Sequence, residues 1–396
     1  MLSDKTLDYA EEITGALLGV DQLVRREGGD ADDGLVVVNM DPGRVPTSYA
    51  SFEDAEAALS ELKRRAPDLP EPDRRRYYEQ LCDSTLALLQ WRQGRLGFAD
   101  QISGFLHVPP EPVSDTELER LQGELHSLLR EMGYDGSLTA QAQAWETRNR
   151  VAPDEVAGTL QEIMDEAWDR TVQQIEIPAP KSDAMRVRTV SGVPFNARCD
   201  YLQRTVELNI DPVLTHQSLK HLAVHECYPG HYVQFKLRET WYRAGTAPAD
   251  GLLSIVNSAS SSPFEGIADN GLYVIDWANT NDDRLAALLG RYRSGIGTAA
   301  AWRLHALGWS ESDTEYWLQE RALVGGDGWA ANRIRFIGAP QRAALIWSYW
   351  WGGLCVHPVW ERQPVARRGE FLRYLYGRMH SPQTVAMFDT SGAGQN

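Results

Sequence analysis

The sequence has few cysteines, and they are widely spaced. Only four occur among 396 residues, and no C-x-x-C pair is present. This absence argues against a disulfide-stapled fold and against a zinc site built from cysteine pairs. The four thiols are therefore expected to be reduced, as in a cytosolic protein; they are Cys82, Cys199, Cys227 and Cys355.

Positive charge is also scarce. The chain has 39 lysines and arginines against 55 aspartates and glutamates, which gives a net charge of −16 at pH 7. Such an excess of negative charge argues against binding to nucleic acid or to an anionic membrane. We expect neither as a partner, and the sequence leaves the oligomeric state open.

Long apolar runs and targeting signals are absent as well. The longest uncharged run, residues 343–360, contains Gly352, Gly353, His357 and Pro358, so it predicts a buried helix rather than a membrane span. The start of the chain lacks a basic region followed by an apolar one, so no signal peptide is expected. These features predict a cytoplasmic protein.

What the sequence does contain is helical periodicity. Hydrophobic residues make up 43% of the chain, enough for a sizeable core, and apolar residues recur every three to four positions in much of the first 180 residues. At 114–117 the sequence S-D-T-E is a capping box that opens a helix. We predict a mainly α protein, with a helical scaffold or lid at 1–180, a helical catalytic part at 181–390 and a disordered tail at 391–396.

Two short segments have the pattern of strands instead. Residues 35–38 are apolar and β-branched, and residues 205–210 alternate polar and apolar side chains. Thr215 then precedes a helix and is a candidate N-cap. We predict a small β element beside this helix. An edge strand there could hold an extended substrate through main-chain hydrogen bonds, and a small structural hairpin is the alternative.

The stretch 225–231, H-E-C-Y-P-G-H, carries the chemistry. Imidazole nitrogens are good ligands for zinc and similar divalent metals, and a glutamate beside the first histidine is suited to act as a general base. On a regular helix His225 and His231 would point about 120° apart. Because proline and glycine disturb a helix, Pro229 and Gly230 predict a deformed segment that brings the two imidazoles together.

The segment 205–234 resembles the domain-of-unknown-function 885 family, whose hallmark is H-E-x-x-P-G-H-x-x-Q. The E-G-W-A-L-Y segment of that family is similar to residues 265–273, E-G-I-A-D-N-G-L-Y. Its H-A-L-G-W-S recurs at 305–310, and its R-Y-I-x-x-P is similar to R-F-I-G-A-P at 335–340. The resemblance covers roughly residues 180–360. It implies a large helical metallopeptidase-like fold, similar to the glutamate-zinc peptidases, and a metallopeptidase activity.

The chain departs from this family pattern in two places. The D-T-G that precedes the histidine of H-A-L-G-W-S reads A-W-R at 301–303. The P-G-Q-A-x-x-Y-x-x-G pattern can be aligned with 340–352 only with an insertion of about one helical turn. These departures favour a divergent substrate, such as a specialised small molecule.

The resemblance also implies the third metal ligand. Glu265 corresponds to the glutamate of the E-G-x-A context, and two histidines with one carboxylate leave a fourth position for water, as in catalytic zinc sites. Zn²⁺ is the expected ion, with Fe²⁺ or Mn²⁺ as alternatives. His221 lies four residues before His225, so a His221–His225 pair is an alternative set of ligands.

The predicted reaction is hydrolysis of a peptide or amide bond in a small substrate. The metal would polarise the scissile carbonyl, and Glu226 would take a proton from a metal-activated water. Tyr349 is a candidate hydrogen-bond donor to the developing oxyanion.

Three further residues have candidate roles, each with a structural alternative. Arg335 either binds a substrate carboxylate or forms a buried ion pair. His305 either supports the metal ligands or contacts the substrate. The alternative is a core histidine whose hydrogen bonds are all made within the protein. Asn209 either orients the substrate from the strand or is a turn residue.

Two other classes of function fit the same residues. One is a non-hydrolytic metalloenzyme that uses these ligands with iron for oxidative or lyase chemistry on a small molecule. The other is a metal-free scaffold or binding protein with a relic site. The intact Glu226 argues against a relic.

Overall fold

The computed structural model describes residues 2–28 and 34–390, without the side chains of residues 326, 327 and 390. It is 65% helical and 6% strand, which confirms the prediction of a mainly α fold with small sheets. The predicted tail at 391–396 lies outside the described residues.

The helices of the described residues range from four to 25 residues in length. In chain order they are α1 (Asp4–Gly28), α2 (Phe52–Arg65), α3 (Pro72–Arg92), α4 (Phe98–Leu106), α5 (Asp115–Glu131), α6 (Leu138–Asn149), α7 (Val156–Thr171), α8 (His216–Leu222), α9 (His231–Arg243), α10 (Ser261–Asp269), α11 (Gly271–Val274), α12 (Asn281–His305), α13 (Glu311–Gln319), α14 (Gly326–Gly338), α15 (Pro340–Ala343), α16 (Ile346–Arg362), α17 (Val365–Tyr376) and α18 (Pro382–Thr390). The strands are β1 (Val36–Asn39), β2 (Arg186–Val190), β3 (Ala197–Asp200), β4 (Thr205–Asn209) and β5 (Leu253–Ile255).

Side-chain caps explain why two of these helices begin where they do. Ser114 accepts a hydrogen bond from the backbone N–H of Glu117 at 3.2 Å, and so it caps α5 as its sequence predicts. Thr215 and Ser218 form a reciprocal capping box at the start of α8. The predicted N-cap at Thr215 is therefore confirmed, and it fixes the start of the segment that leads to His225.

The chain divides into two compact units that are interleaved in sequence. The first comprises residues 1–110, 234–267 and 351–396, and the second comprises residues 111–233 and 268–350. The borders differ from the boundary predicted at residue 180, because each unit draws on both halves of the chain. The predicted division into scaffold and catalytic parts stays a prediction.

The first unit has a helical core with a small ribbon. Ile13 and Leu17 of α1 and Leu81 of α3 are completely buried. The strands β1 and β5 pair antiparallel, with Val36 opposite Ile255. The short strand predicted at 35–38 is thus confirmed as one half of a two-stranded ribbon.

The second unit carries the three-stranded sheet, in the order β2–β4–β3. The predicted strand at 205–210 is confirmed as β4, which pairs parallel with β2 and antiparallel with β3. The expectation that it is an edge strand is wrong. Since both of its sides are already paired, β4 has no free edge for a substrate.

The long uncharged run forms the helix α16. Trp347 and Val356 are completely buried, and Val359 is nearly so, so the prediction of a buried helix is confirmed. Among the residues that the structure describes, no helix combines the length and the apolar character needed to cross a membrane.

Candidate metal centre

The backbone of the H-E-C-Y-P-G-H segment is irregular, as its proline and glycine predict. α8 passes into a single π-helical turn at Ala223–Cys227, and a new helix, α9, begins at His231. Between them the N–H of Gly230 donates to the carbonyl of Val224 at 2.9 Å. The break places the rings of His225 and His231 edge to face, with their centroids 4.6 Å apart.

Gly230 is the residue that permits this close turn. A Cβ atom at this position would lie 1.8 Å from the carbonyl oxygen of His225 and 2.3 Å from that of Val224. Neither distance is compatible with any other residue unless the backbone moves. The predicted deformation between the two histidines is therefore confirmed, and its physical basis is the missing side chain.

Two overlapping groups of side chains can hold a metal. In one, His225, His231 and Glu265 each offer a donor atom, and these atoms lie within 4.8 Å of one another. In the other, His221, His225 and Asp269 meet the same criterion. Both histidine pairs that the sequence allows are thus part of a possible metal-binding group, and His225 belongs to each.

Asp269 distinguishes between the two groups. Its Oδ1 lies 2.7 Å from Nδ1 of His225 and 3.6 Å from Nε2 of His221. A carboxylate on Nδ1 holds the proton there and leaves Nε2 as the metal-binding nitrogen, a common arrangement behind metal-bound histidines. His225 and His231 are each 7% exposed, whereas the side chain of His221 is 46% exposed. The geometry favours the group with His231 and Glu265.

The role of Asp269 was missed at the level of sequence, although a signal for it exists. Asp269 follows Glu265 by four residues on α10, so the two carboxylates lie on the same face of one helix. A carboxylate ligand and the carboxylate that orients a histidine can therefore come from a single turn. That spacing is the pattern that could have identified it.

Glu226 is held in place by the sheet. Glu226 is 7% exposed, and its Oε2 accepts a hydrogen bond of 2.8 Å from the backbone N–H of Cys199 on β3. The predicted small β element beside the metal-site segment is thus present, and it supports the candidate base.

The nearby cysteines do not add ligands. Burial, together with the neighbouring Glu226, raises the pKa of the Cys227 thiol well above its usual value. Burial raises the pKa of the Cys199 thiol in the same way. Neither thiol belongs to a group of side chains in the described residues that could hold a metal ion.

The remaining predicted residues have mainly backbone partners. The side-chain amide of Asn209 donates to the carbonyl of Phe195 at 3.0 Å, and its oxygen accepts from the N–H of Asp211, so it braces the loops around β4. A ring nitrogen of His305 lies 2.6 Å from the carbonyl of Ile337. Whether either residue also acts on a substrate stays a prediction.

Arg335 and Tyr349 lie on α14 and α16. Arg335 is exposed, and its Nε donates to the carbonyl of Ala331 one turn earlier. The ring of Tyr349 meets Phe336 edge to face at 6.1 Å. Tyr349 also lies near Arg333, whose pKa is lowered by burial and raised by the electrostatic effect of Tyr349. Sequence reasoning missed Arg333, and the roles of Arg335 and Tyr349 stay predictions.

Comparison with known proteins shows similarity of fold and little else. No protein-family model matches the chain, and no curated protein matches it. Among solved structures, a "putative lipoprotein" from Colwellia psychrerythraea is 12% identical with a TM-score of 0.55, covering 88% of this chain and 71% of that one. A "putative lipoprotein of unknown function" from Shewanella oneidensis is 13% identical with a TM-score of 0.52, covering 88% and 74%.

These comparisons correct two expectations. The resemblance to the domain-of-unknown-function 885 family is contradicted, since no family model matches and the structural neighbours are named as lipoproteins instead. A motif of ten positions is too short to outweigh that result. The expected cytoplasmic location is also contradicted by these neighbours, because lipoproteins are anchored to membranes by their lipid. What the chain shares with them is its fold.

Proposed function

We propose that this chain is a metal-dependent hydrolase that cleaves a peptide or amide bond in a small substrate. The observation that supports this most is the meeting of two buried imidazoles with the half-buried carboxylate of Glu265. The buried Glu226 follows His225 directly in the chain. Buried charged groups of this kind are costly to maintain. They are typical of sites where a metal and a base act together.

The donor set fits a divalent ion. Two imidazole nitrogens and one carboxylate oxygen suit Zn²⁺, and they also suit Fe²⁺ or Mn²⁺. His225, His231 and Glu265 would hold the ion, which would supply a Lewis acid to polarise the scissile carbonyl. Asp269 contributes by fixing the proton on Nδ1 of His225, so that the Nε2 lone pair is directed to the ligand position.

Glu226 is the proposed general base. The N–H of Cys199 holds one carboxylate oxygen, and this leaves the other oxygen to accept a proton from water and pass it to the leaving amine. The orientation of the base therefore depends on the position of β3.

Metal analysis of the native protein and two variants tests the proposed ligands. Native protein is expected to hold about one ion per chain, and His231→Ala should lose it. His221→Ala serves as the matched control, since it removes an imidazole from the same segment and should keep the ion. Retention of metal by His231→Ala together with its loss in His221→Ala would contradict the proposed set and favour the other.

A turnover assay tests the hydrolytic part of the proposal. Glu226→Gln should keep the metal and lose about 10²- to 10⁴-fold in kcat against a panel of small peptides and amides. Iron in the native protein, with turnover only in the presence of oxygen, would instead support a non-hydrolytic metalloenzyme. Unchanged turnover of the Glu226→Gln protein would contradict the proposal that Glu226 is the general base.

A further inference from the structure

A second cluster of charged side chains is buried in the unit formed by residues 1–110, 234–267 and 351–396. Arg74 on α3 is 0% exposed, and Arg238 on α9 and Asp250 are each 2% exposed. Both guanidiniums act electrostatically on the carboxyl group of Asp250, and the hydroxyl of Tyr78 donates to its Oδ1 at 2.8 Å. Three separate segments thus bring charge to one place in the core.

Several polar atoms of this cluster have no hydrogen-bond partner in the described part of the chain; most are guanidinium donors, and one, Oδ2 of Asp250, is an acceptor. Nε of Arg74 bonds to Asp73 at 3.0 Å, but its Nη1 and Nη2 are buried without a hydrogen-bond partner. Nη2 of Arg238 bonds to Gln234 at 3.2 Å, while its Nε and Nη1 are equally unpartnered. Buried charged donors without acceptors are rare, because each donor loses its hydrogen bonds to water without gaining one within the protein.

Each of the two guanidiniums has an aromatic ring beside it. Cζ of Arg74 lies 5.0 Å from the centre of the Tyr77 ring, and Cζ of Arg238 lies 5.4 Å from that of Phe264. The unpartnered N–H groups lie in the guanidinium plane, at its edge. A partner must therefore approach in that plane, as an anion does.

The charges of the cluster do not balance. Asp73 bonds both Arg74 and Arg378, and although burial opposes ionisation these arginines lower its pKa to about 2. Burial lowers the pKa of Arg238 to about 10, so it stays protonated at neutral pH. Burial raises the pKa of Asp250, which can only reduce the negative charge. The three guanidiniums of Arg74, Arg238 and Arg378 thus outnumber the carboxylates of Asp73 and Asp250, so the cluster carries an excess of at least one positive charge.

We propose that the cluster binds a small inorganic anion, chloride, at the unpartnered N–H groups of Arg74 and Arg238. Such an ion supplies both the missing negative charge and the missing acceptor. Water would supply acceptors but leave the charge unbalanced. A large organic anion does not suit side chains that are at most 2% exposed, whereas a monatomic ion needs little room.

Bromide provides a direct test on the whole protein. In crystals soaked in sodium bromide, diffraction at the bromine absorption edge should show an anomalous peak in contact with Arg74 and Arg238. A position there without an anomalous peak, whether empty or filled by water, would overturn the proposal. This measurement needs no variant, so it decides the matter even if a substitution in the cluster prevents folding.

Thermal unfolding provides the second test. At equal ionic strength, the wild-type chain should unfold about 2 °C or more higher in sodium chloride than in sodium gluconate. Arg238→Met should lose this difference, and Arg243→Met should keep it. Arg243 is the matched control, because it lies on the same helix with a side chain that is 71% exposed and paired with Glu239. Equal unfolding temperatures of the wild type in the two salts would count against a bound anion.

Discussion

Replacing Gly230 by alanine tests how the two candidate histidines are brought together. The added Cβ would begin 1.8 Å from the carbonyl oxygen of His225, and real Cβ contacts are essentially never under 3.0 Å, so the backbone must shift by about 1.2 Å. Overpacking of this kind costs about 1–3 kcal/mol, and the loss of the hydrogen bond from Gly230 to Val224 costs about 1 kcal/mol more. We expect a total destabilisation of about 2–4 kcal/mol.

The same shift moves His231, which follows directly in the chain. A displacement of about 1 Å at a metal ligand is expected to weaken metal binding by about 10- to 100-fold. Urea unfolding of the metal-free protein gives the stability, and a calorimetric titration with Zn²⁺ gives the affinity. Gly123→Ala is the control, because an added Cβ meets nothing within 4 Å there, and alanine in the middle of α5 should stabilise by about 0.5–1 kcal/mol. A Gly230→Ala protein with wild-type stability and affinity would refute this reasoning.

Two further substitutions probe carboxylates that act through their neighbours. Asp269→Asn should weaken metal binding about 10- to 100-fold without unfolding the chain, since it weakens the hold on Nδ1 of His225; an unchanged dissociation constant would show that this contact is dispensable. Although burial opposes its ionisation, Arg74 and Arg378 lower the pKa of Asp73 to about 2. The ionised Asp73 therefore contributes about 2 kcal/mol to the free energy of unfolding. This contribution is complete above about pH 4 and is lost as the pH falls towards 2. Asp73→Asn should therefore lower stability at pH 6 and flatten its acid dependence between pH 4 and 2, as urea unfolding at several pH values would show; a wild-type slope in that interval would contradict this.

Features with a local cause could be predicted from the sequence. The caps at Ser114 and Thr215 depend on residues three positions apart, and the break at Gly230 depends on residues that are adjacent. Each of these features arises within about one turn of backbone, so a few neighbouring residues are enough to predict it. The two histidines of the candidate metal centre were found for the same reason.

Features that depend on pairing between strands could not be predicted in this way. The position of β4 in its sheet depends on β2, which is largely exposed and has no regular apolar alternation. The other neighbour of β4 is β3, which is only four residues long. Only the pairing of the three strands shows that β4 lies in the centre.

The direction in which the side chains of α14 point explains why Arg333 was missed. The sequence motif drew attention to Arg335, which is exposed, while Arg333 interacts with Tyr349. Two residues on a helix are about 200° apart, so the two side chains point to nearly opposite sides. A motif by itself does not say which side of its helix faces inwards, and that depends on the packing of the whole chain.

The bond from Cys199 to Glu226 has a consequence for the design of variants. β3 lies at the edge of its sheet, and Glu226 accepts a hydrogen bond from one of the backbone donors on that edge, in a place where both residues are buried. Glutamine retains a carbonyl oxygen and can continue to accept this bond, whereas alanine would leave a buried donor without a partner, at a cost of about 1–3 kcal/mol. Inactivity of an alanine variant would therefore mix a loss of folded protein with a loss of catalysis, and the glutamine variant separates the two.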